Sequence, residues 1–239
     1  MNTTKNVLGL IPARGGSKGI PRKNLYPVLD KPLIAYSIDG ALQSRYLSHV
    51  VVSTDDHEIA TESEKRGAEV PFIRPVEFAQ DQSSALDVVN HAIGFYRHLG
   101  IEFELVVYLQ PTSPLRSTRT IDECILGMSN SDADSLVSVM DVPHQFSVDC
   151  QMVEEGGYVQ PVATNIGRLR RQEKKRYVAR NGPAILITRP ATAENYQSLY
   201  GDKILSYKMN KMESMDIDEL EDIWLVEQAL LHKARPSPA

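Results

Sequence analysis

Only two cysteines, Cys124 and Cys150, occur in the 239 residues. That is too few for a disulfide framework or a four-thiolate zinc site, so the chain suits a reducing compartment and any metal would use oxygen ligands. No apolar run approaches the roughly 18 residues of a membrane span, and Met1 to Leu10 lack the apolar core of a signal peptide. The expectation is a soluble cytoplasmic protein. Positive charge is not in excess either: 26 Lys and Arg against 31 Asp and Glu leave a net charge of −5. Such a molecule repels nucleic acid and acidic membranes unless its basic residues cluster. The phosphate-loop pattern GxxxxGK[ST] and the dinucleotide pattern GxGxxG are both missing, as are internal repeats and low-complexity tracts. What remains is an ordinary globular composition, 42% apolar and 24% charged, with a length that fits one large α/β domain or a domain plus a small appendage.

Short β-branched runs alternate with stretches of helical spacing, the usual sign of βαβ units around a mainly parallel sheet. Strands are predicted at 6–11, 50–52, 104–109, 135–140, 184–188 and 203–208, with an irregular or edge segment at 69–73, marked by Pro71 and Pro75. Helices are predicted at 32–45, 57–66, 84–99, 117–129, 191–199 and 217–232, and the tail 234–239 is expected to fray. From Pro143 to Arg180 the rhythm breaks, with Gly156 and Gly157 in tandem and seven Lys or Arg against Glu173 between Arg168 and Arg180. This stretch is taken as an inserted arm, 143–180, in a domain made of 1–142 and 181–239.

Four polar constellations fall at predicted strand ends, the edge where α/β sheets bind ligands. The first is the loop after the first strand. No acidic residue occurs between Asn6 and Leu29, while Arg14, Lys18, Arg22 and Lys23 supply four positive charges among glycines. Such a loop suits a polyphosphate, against the ordinary reading of a solvated Gly-rich turn. The second, Ser53-Thr54-Asp55-Asp56, is most simply a helix cap. The third, Leu109 to Arg116, combines fixing prolines with amide, hydroxyl and guanidinium groups. The fourth, Asp216-Ile217-Asp218, sets two carboxylates two residues apart on a turn, able to share Mg²⁺ or to cap the last helix; alone, capping is favoured. His91 and His98 sit about 10 Å apart along one helix, too far to share a metal. Cys124 reads as a buried thiol, and Trp224 with Ile223, Leu225 and Leu230 as core packing.

Taken together and in order, ARGGSKGIPRKN, STDD, RPVEFAQD at 74–81, LQPTSPLR and MDID resemble the motif set of the CMP-sialic acid synthetases, the N-acylneuraminate cytidylyltransferases. The resemblance covers nearly the whole chain. It implies a Rossmann-like nucleotidyltransferase fold, mainly parallel with helices on both faces and a protruding dimerisation arm. It also implies a homodimer that joins CTP to a nonulosonic acid and releases pyrophosphate. Carried over by motif, Arg14, Lys18 and Lys23 hold the nucleotide phosphates with Asn24 beside them, and Ala13, Gly15, Ser17, Arg74, Asp81 and Ser84 complete the nucleotide-binding set. Gln110, Thr112, Ser113, Arg171 and Asn181 hold the sugar, and Asp216 and Asp218 bind Mg²⁺. Arg14, Lys23, Asp216 and Asp218 are the implied catalytic set, with no dedicated base. No nucleic acid or membrane partner is implied.

Some members carry an Arg two positions before the Asn of the Asn181-Gly182 pair, where this chain has Ala179 with Arg180 adjacent. The segment ARNGPA at 179–184 also resembles synthetases for legionaminic acid. Alternatives are a cytidylyltransferase for 3-deoxy-manno-octulosonic or pseudaminic acid and, from another class, a non-catalytic nucleotide- or RNA-binding protein that uses the basic arm.

Overall fold

The computed structural model describes residues 6–162 and 177–233. The strands are β1 (Val7–Pro12), β2 (Pro27–Val28), β3 (Lys31–Pro32), β4 (His49–Ser53), β5 (Leu105–Tyr108), β6 (Ser135–Asp141), β7 (Met152–Glu155), β8 (Tyr158–Pro161), β9 (Val178–Arg180), β10 (Leu186–Thr188) and β11 (Ile204–Lys208). The helices are α1 (Leu33–Leu42), α2 (His57–Lys65), α3 (Ala85–His98), α4 (Thr118–Ser129), α5 (Pro190–Tyr196) and α6 (Leu220–Lys233). One sheet runs β11-β6-β10-β5-β1-β4, and β9 also pairs with β6. Strands β1, β4, β5, β6 and β11 point one way, while β9 and β10 run antiparallel to them. The carboxyl ends of five strands therefore gather at one edge, and β10 enters the sheet from that same edge.

Strand alternation divides the apolar residues between two faces. Ile11, Val52, Val107 and Ile187 pack with Ile34, Ile38, Ile121, Cys124 and Ile125 of α1 and α4. Leu10, Val51, Val106 and Leu186 pack with Val88, Val89, Ile93 and Ala193 of α3 and α5. Cys124 is fully buried, and burial pushes its thiol well above the usual range. A third cluster joins Ile20, Val28, Leu33 and Leu115 to Ile217, Ile223 and Val226, seating α6 beneath the first and last polar loops.

Helix starts follow side-chain capping. Asp56 accepts from Glu58 N and Ile59 N, and Ser84 forms a capping box with Asp87. The segment at 69–73 bridges Val51 and Thr54 outside β4, the edge position read from its prolines. Two expectations are corrected. Helix α6 begins at Leu220 instead of residue 217, because the Asp222 carboxylate accepts from Asp218 N and Glu219 N and starts the helix there. Trp224 is not core: it is 60% exposed and Leu225 is also exposed, because the inward face of α6 is Ile223, Val226 and Ala229. The exposed hairpin β7–β8 lies between residues 143 and 180, whose last three, β9, join the main sheet through β6; Arg171 and the basic run up to Arg176 lie outside the described residues, as does the tail 234–239.

Ile38 is fully buried between α1 and the sheet. Ile38→Ala is expected to lower stability by about 2–5 kcal/mol in denaturant unfolding, the usual cost of a truncated core side chain.

Candidate active site

At the carboxyl edge a cavity of about 470 Å³ opens between the β1, β5 and β11 loops and the 74–84 segment. Arg14, Gly16, Ser17, Lys23 and Asn24 of the acid-free loop form one wall, and Asp216 and Asp218 face it. Gln110, Pro111, Thr112 and Gly182 form another, and Phe78, Ala85, Val88 and Tyr108 make a less polar end near Arg74, Asp81 and Ser84. Three of the four constellations, scattered over some 200 residues, thus meet because the parallel strands all end here, while Asp55 of the remaining one stands behind the loop.

The loop is held from both sides. Asn24 Nδ2 donates to Arg14 O at 2.9 Å, and Gly15 N donates to Asp55 Oδ1 at 3.0 Å. Lys23, largely buried, donates from Nζ to Ile217 O at 2.8 Å and lies 3.3 Å from Asp218 Oδ1. Arg14 and Lys18 both engage Asp81, each at 2.6 Å. Hydrogen bonds from Lys18 and Arg14 hold the Asp81 carboxyl below the usual carboxylate range. Arg22, the fourth loop cation, turns away from the cavity onto Asp56 and Glu58. Burial alone would raise the Asp56 carboxyl, but the Ile59 and Glu58 amides and Arg22 bring it below the usual range.

Arg74 is 5% exposed, and its nearest carboxylate, Asp55, stands 3.9 Å away. Its Nε and Nη2 have no hydrogen-bond partner among the described residues. Burial lowers its pKa, with Asp55 opposing. Two donors thus stand unpaired on a buried guanidinium that lines the cavity, the arrangement expected of a group completed by a ligand. Tyr108 closes the same end, and burial pushes its hydroxyl up to about 12, so it is neutral at ordinary pH.

Asp216 Oδ1 accepts from Ser113 Oγ at 3.1 Å. Because Asp222 caps α6, Asp216 and Asp218 stay outside the helix with carboxylates on the cavity wall. Among the described residues no cluster of three or more His, Cys, Asp or Glu could hold a metal. Two carboxylates facing a phosphate-type loop fit a hard divalent cation that completes its shell with waters and ligand oxygens, as Mg²⁺ prefers.

Not every carried-over residue lines the cavity. Ala13 is fully buried, Gly15 backs onto Asp55, Lys18 reaches the rim through Asp81, and Ser113 acts through Asp216. Asn181 is buried and turned inward: Nδ2 donates to Ser214 Oγ at 3.0 Å, and Oδ1 accepts from Ser138 Oγ at 2.7 Å. Its neighbour Gly182 supplies the wall instead. Sequence reading passed over Tyr108, Phe78, Val88 and Gly182. The signal for Tyr108 was present, as the one hydroxyl-bearing aromatic ending an otherwise aliphatic strand.

A doubly covered, mainly parallel sheet with a polar cleft at its carboxyl edge defines a Rossmann-like α/β protein. Residues 8–231 match the family model described as cytidylyltransferase, and the chain belongs to that family. It is 33% identical over 226 residues to a CMP-N,N′-diacetyllegionaminic acid synthase of Legionella pneumophila, covering 94% of this chain and 96% of that one. It is 31% identical over 219 residues to an N-acylneuraminate cytidylyltransferase of Escherichia coli O18:K1:H7, covering 92% of this chain but 51% of that enzyme, so it spans about half that relative's length. A 108-residue stretch, 45% of this chain and 47% of the other, is 45% identical to a pseudaminic acid cytidylyltransferase of Campylobacter jejuni. Among solved structures, a CMP:2-keto-3-deoxy-manno-octonic acid synthetase in complex with CTP superposes with a TM-score of 0.70 at 18% identity, covering 96% of this chain and 100% of that one.

Gly182 has φ +115°, and a Cβ there would lie 3.1 Å from Gln110 Oε1. Gly182→Ala is expected to lower stability by roughly 1–3 kcal/mol, measured by thermal unfolding, because a side chain in this backbone region is strained.

Proposed function

We propose that the chain is a CTP-dependent nonulosonate cytidylyltransferase, which joins CMP to a sialic- or legionaminic-type acid sugar and releases pyrophosphate. The observation that carries this reading is the single cavity in which the acid-free loop faces Asp216 and Asp218, with Gln110, Thr112 and Gly182 at one side and a less polar slot at the other. The triphosphate lies along the loop, where Arg14, Lys18 and Lys23 neutralise it; Arg14 and Lys18 exchange Asp81 for phosphate oxygens. The base enters the slot of Phe78, Ala85, Val88 and Tyr108, where the unpaired Arg74 N–H groups meet its polar edge. The acid sugar lies against Gln110, Thr112 and Gly182, its anomeric hydroxyl in line with the α-phosphate.

Asp216 and Asp218 would hold Mg²⁺, which when bound supplies charge neutralisation on the phosphoryl oxygens. Lys23 holds the loop against Asp218 and stands where the leaving pyrophosphate develops charge. Such a site works by positioning and electrostatics, with no covalent step asked of the protein. The exposed apolar residues of the β7–β8 hairpin, Val153, Tyr158 and Val159 among them, support pairing of two copies through the arm. Arg171 would then reach the partner's sugar carboxylate. A second reading of the sugar, pseudaminic acid, is favoured by the 45% identity over 108 residues.

Pyrophosphate release with Mg²⁺ across N-acetylneuraminic, N,N′-diacetyllegionaminic, pseudaminic and 3-deoxy-manno-octulosonic acids, with CTP, UTP, ATP and GTP, tests the proposal. Turnover with CTP and one nine-carbon acid is expected; silence across the panel would overturn the reading in favour of a binding protein. Asp216→Ala is expected to lower kcat by at least 100-fold and abolish the response to added Mg²⁺, and full activity in this variant would remove the metal assignment. Lys23→Ala is expected to lower kcat/KM for CTP by at least ten-fold with the unfolding transition little changed.

A further inference from the structure

Arg116 ends the LQPTSPLR segment and is 5% exposed, yet it lines no part of the cavity. Its Nη1 donates to Gln110 O at 3.1 Å and to Ala184 O at 2.6 Å, and its Nη2 donates to Ser37 Oγ at 2.8 Å. Ser37 Oγ in turn donates to Gln110 O at 3.3 Å. No ion pair holds this guanidinium among the described residues, and its Nε has no hydrogen-bond partner there. Burial pushes its pKa down to about 10, with the charge of Asp216 opposing. A buried cation satisfied only by carbonyls and a hydroxyl is costly to keep. An aliphatic side chain would fill the space without that cost, so packing alone does not account for an arginine here.

The acceptors show what the charge does. One carbonyl belongs to Gln110, and the other lies two residues beyond Gly182; both Gln110 and Gly182 line the cavity, from loops 72 residues apart that are joined to different strands. The two loops nearly touch there, because a Cβ on Gly182 would sit 3.1 Å from Gln110 Oε1 and 3.7 Å from Asp216 Oδ2. The planar fork of arginine can bind both carbonyls and the α1 hydroxyl at fixed angles, which a lysine ammonium cannot reproduce. The nucleotide walls are built from other elements, residues 13–24 and 74–88, which make no hydrogen bond to Arg116.

We infer that Arg116 is a positioning residue for the acid-sugar side of the cavity: its fork fixes the Gln110 loop, the Gly182 turn and α1 at one spacing, so that this wall has its shape before the substrate arrives. The inference rests on the functional reading above for the identity of the substrate, but not for the coupling of the two loops.

Its test is steady-state kinetics of Arg116→Lys and Ser37→Ala with both substrates varied, beside Ile38→Ala as a control that destabilises the core. Arg116→Lys is expected to raise the KM of the acid sugar at least ten-fold and that of CTP less than two-fold. Ser37→Ala is expected to move the sugar KM in the same direction by a smaller factor, and Ile38→Ala to leave both KM values unchanged. Equal changes in both KM values, or an unchanged sugar KM in Arg116→Lys, would overturn the assignment. Amide hydrogen exchange of the same variants separates this from a failure of the functional reading. Residues 110–113 and 182–185 are expected to exchange at least ten-fold faster in Arg116→Lys while 13–24 and 85–98 do not change, whether or not any acid sugar is turned over. Unchanged exchange in both loops would overturn the coupling itself.

Discussion

Lys23 joins the two ends of the chain's chemistry. Its ammonium donates to the carbonyl of Ile217, 194 residues away, and stands beside Asp218. Beneath it, Ile20, Val28 and Leu33 pack on Ile217, Ile223 and Val226, so apolar burial holds the cationic loop against the acidic turn. The backbones approach so closely that a Cβ on Gly19 would fall 2.6 Å from the carbonyl oxygen of Asp218, a contact only glycine permits. Without this seam the cations and the carboxylates would still exist, but not across one cavity.

The charges are arranged for a ligand. Arg14 and Lys18 rest on Asp81, Lys23 rests on a carbonyl and Asp218, and Arg22 is tied down on Asp56 and Glu58 outside the cavity. The exposed pairs of Arg14 and Lys18 with Asp81 contribute little to stability, whereas Lys23 is largely buried and held to the Ile217 carbonyl. Arg74 differs, being buried with Nε and Nη2 unpaired among the described residues, which leaves donors that a polar ligand group can satisfy. The cleft thus combines exposed ion pairs on Asp81 with a buried, underpaired Arg74.

The strand ends and their polar loops were legible because each carries a local signal: β-branched runs, an acid-free basic loop, proline-bounded turns, and Asp or Ser at helix starts. The elements that departed depend on information no local window holds. The start of α6 follows from Asp222 outcompeting Asp216 and Asp218 as the cap, which frees the latter pair for the cavity. Trp224 is exposed because Ile223 and Val226 set the phase of the buried face of α6 and residue 224 falls outside it, which hydrophobicity without phase does not reveal. Asn181 and Arg116 show a related limit. Their sequence positions mark them as site residues, whereas their side chains face inward and bind the loops that carry the site.

In the proposed reaction this cavity directs an anomeric hydroxyl onto the α-phosphate of CTP. The most direct test is turnover of an acid sugar labelled with ¹⁸O at its anomeric hydroxyl, with the products read by ³¹P NMR and mass spectrometry. The account predicts that the label is retained in the bridge of the CMP-sugar and absent from pyrophosphate. Label lost to water, or found in pyrophosphate, would contradict it.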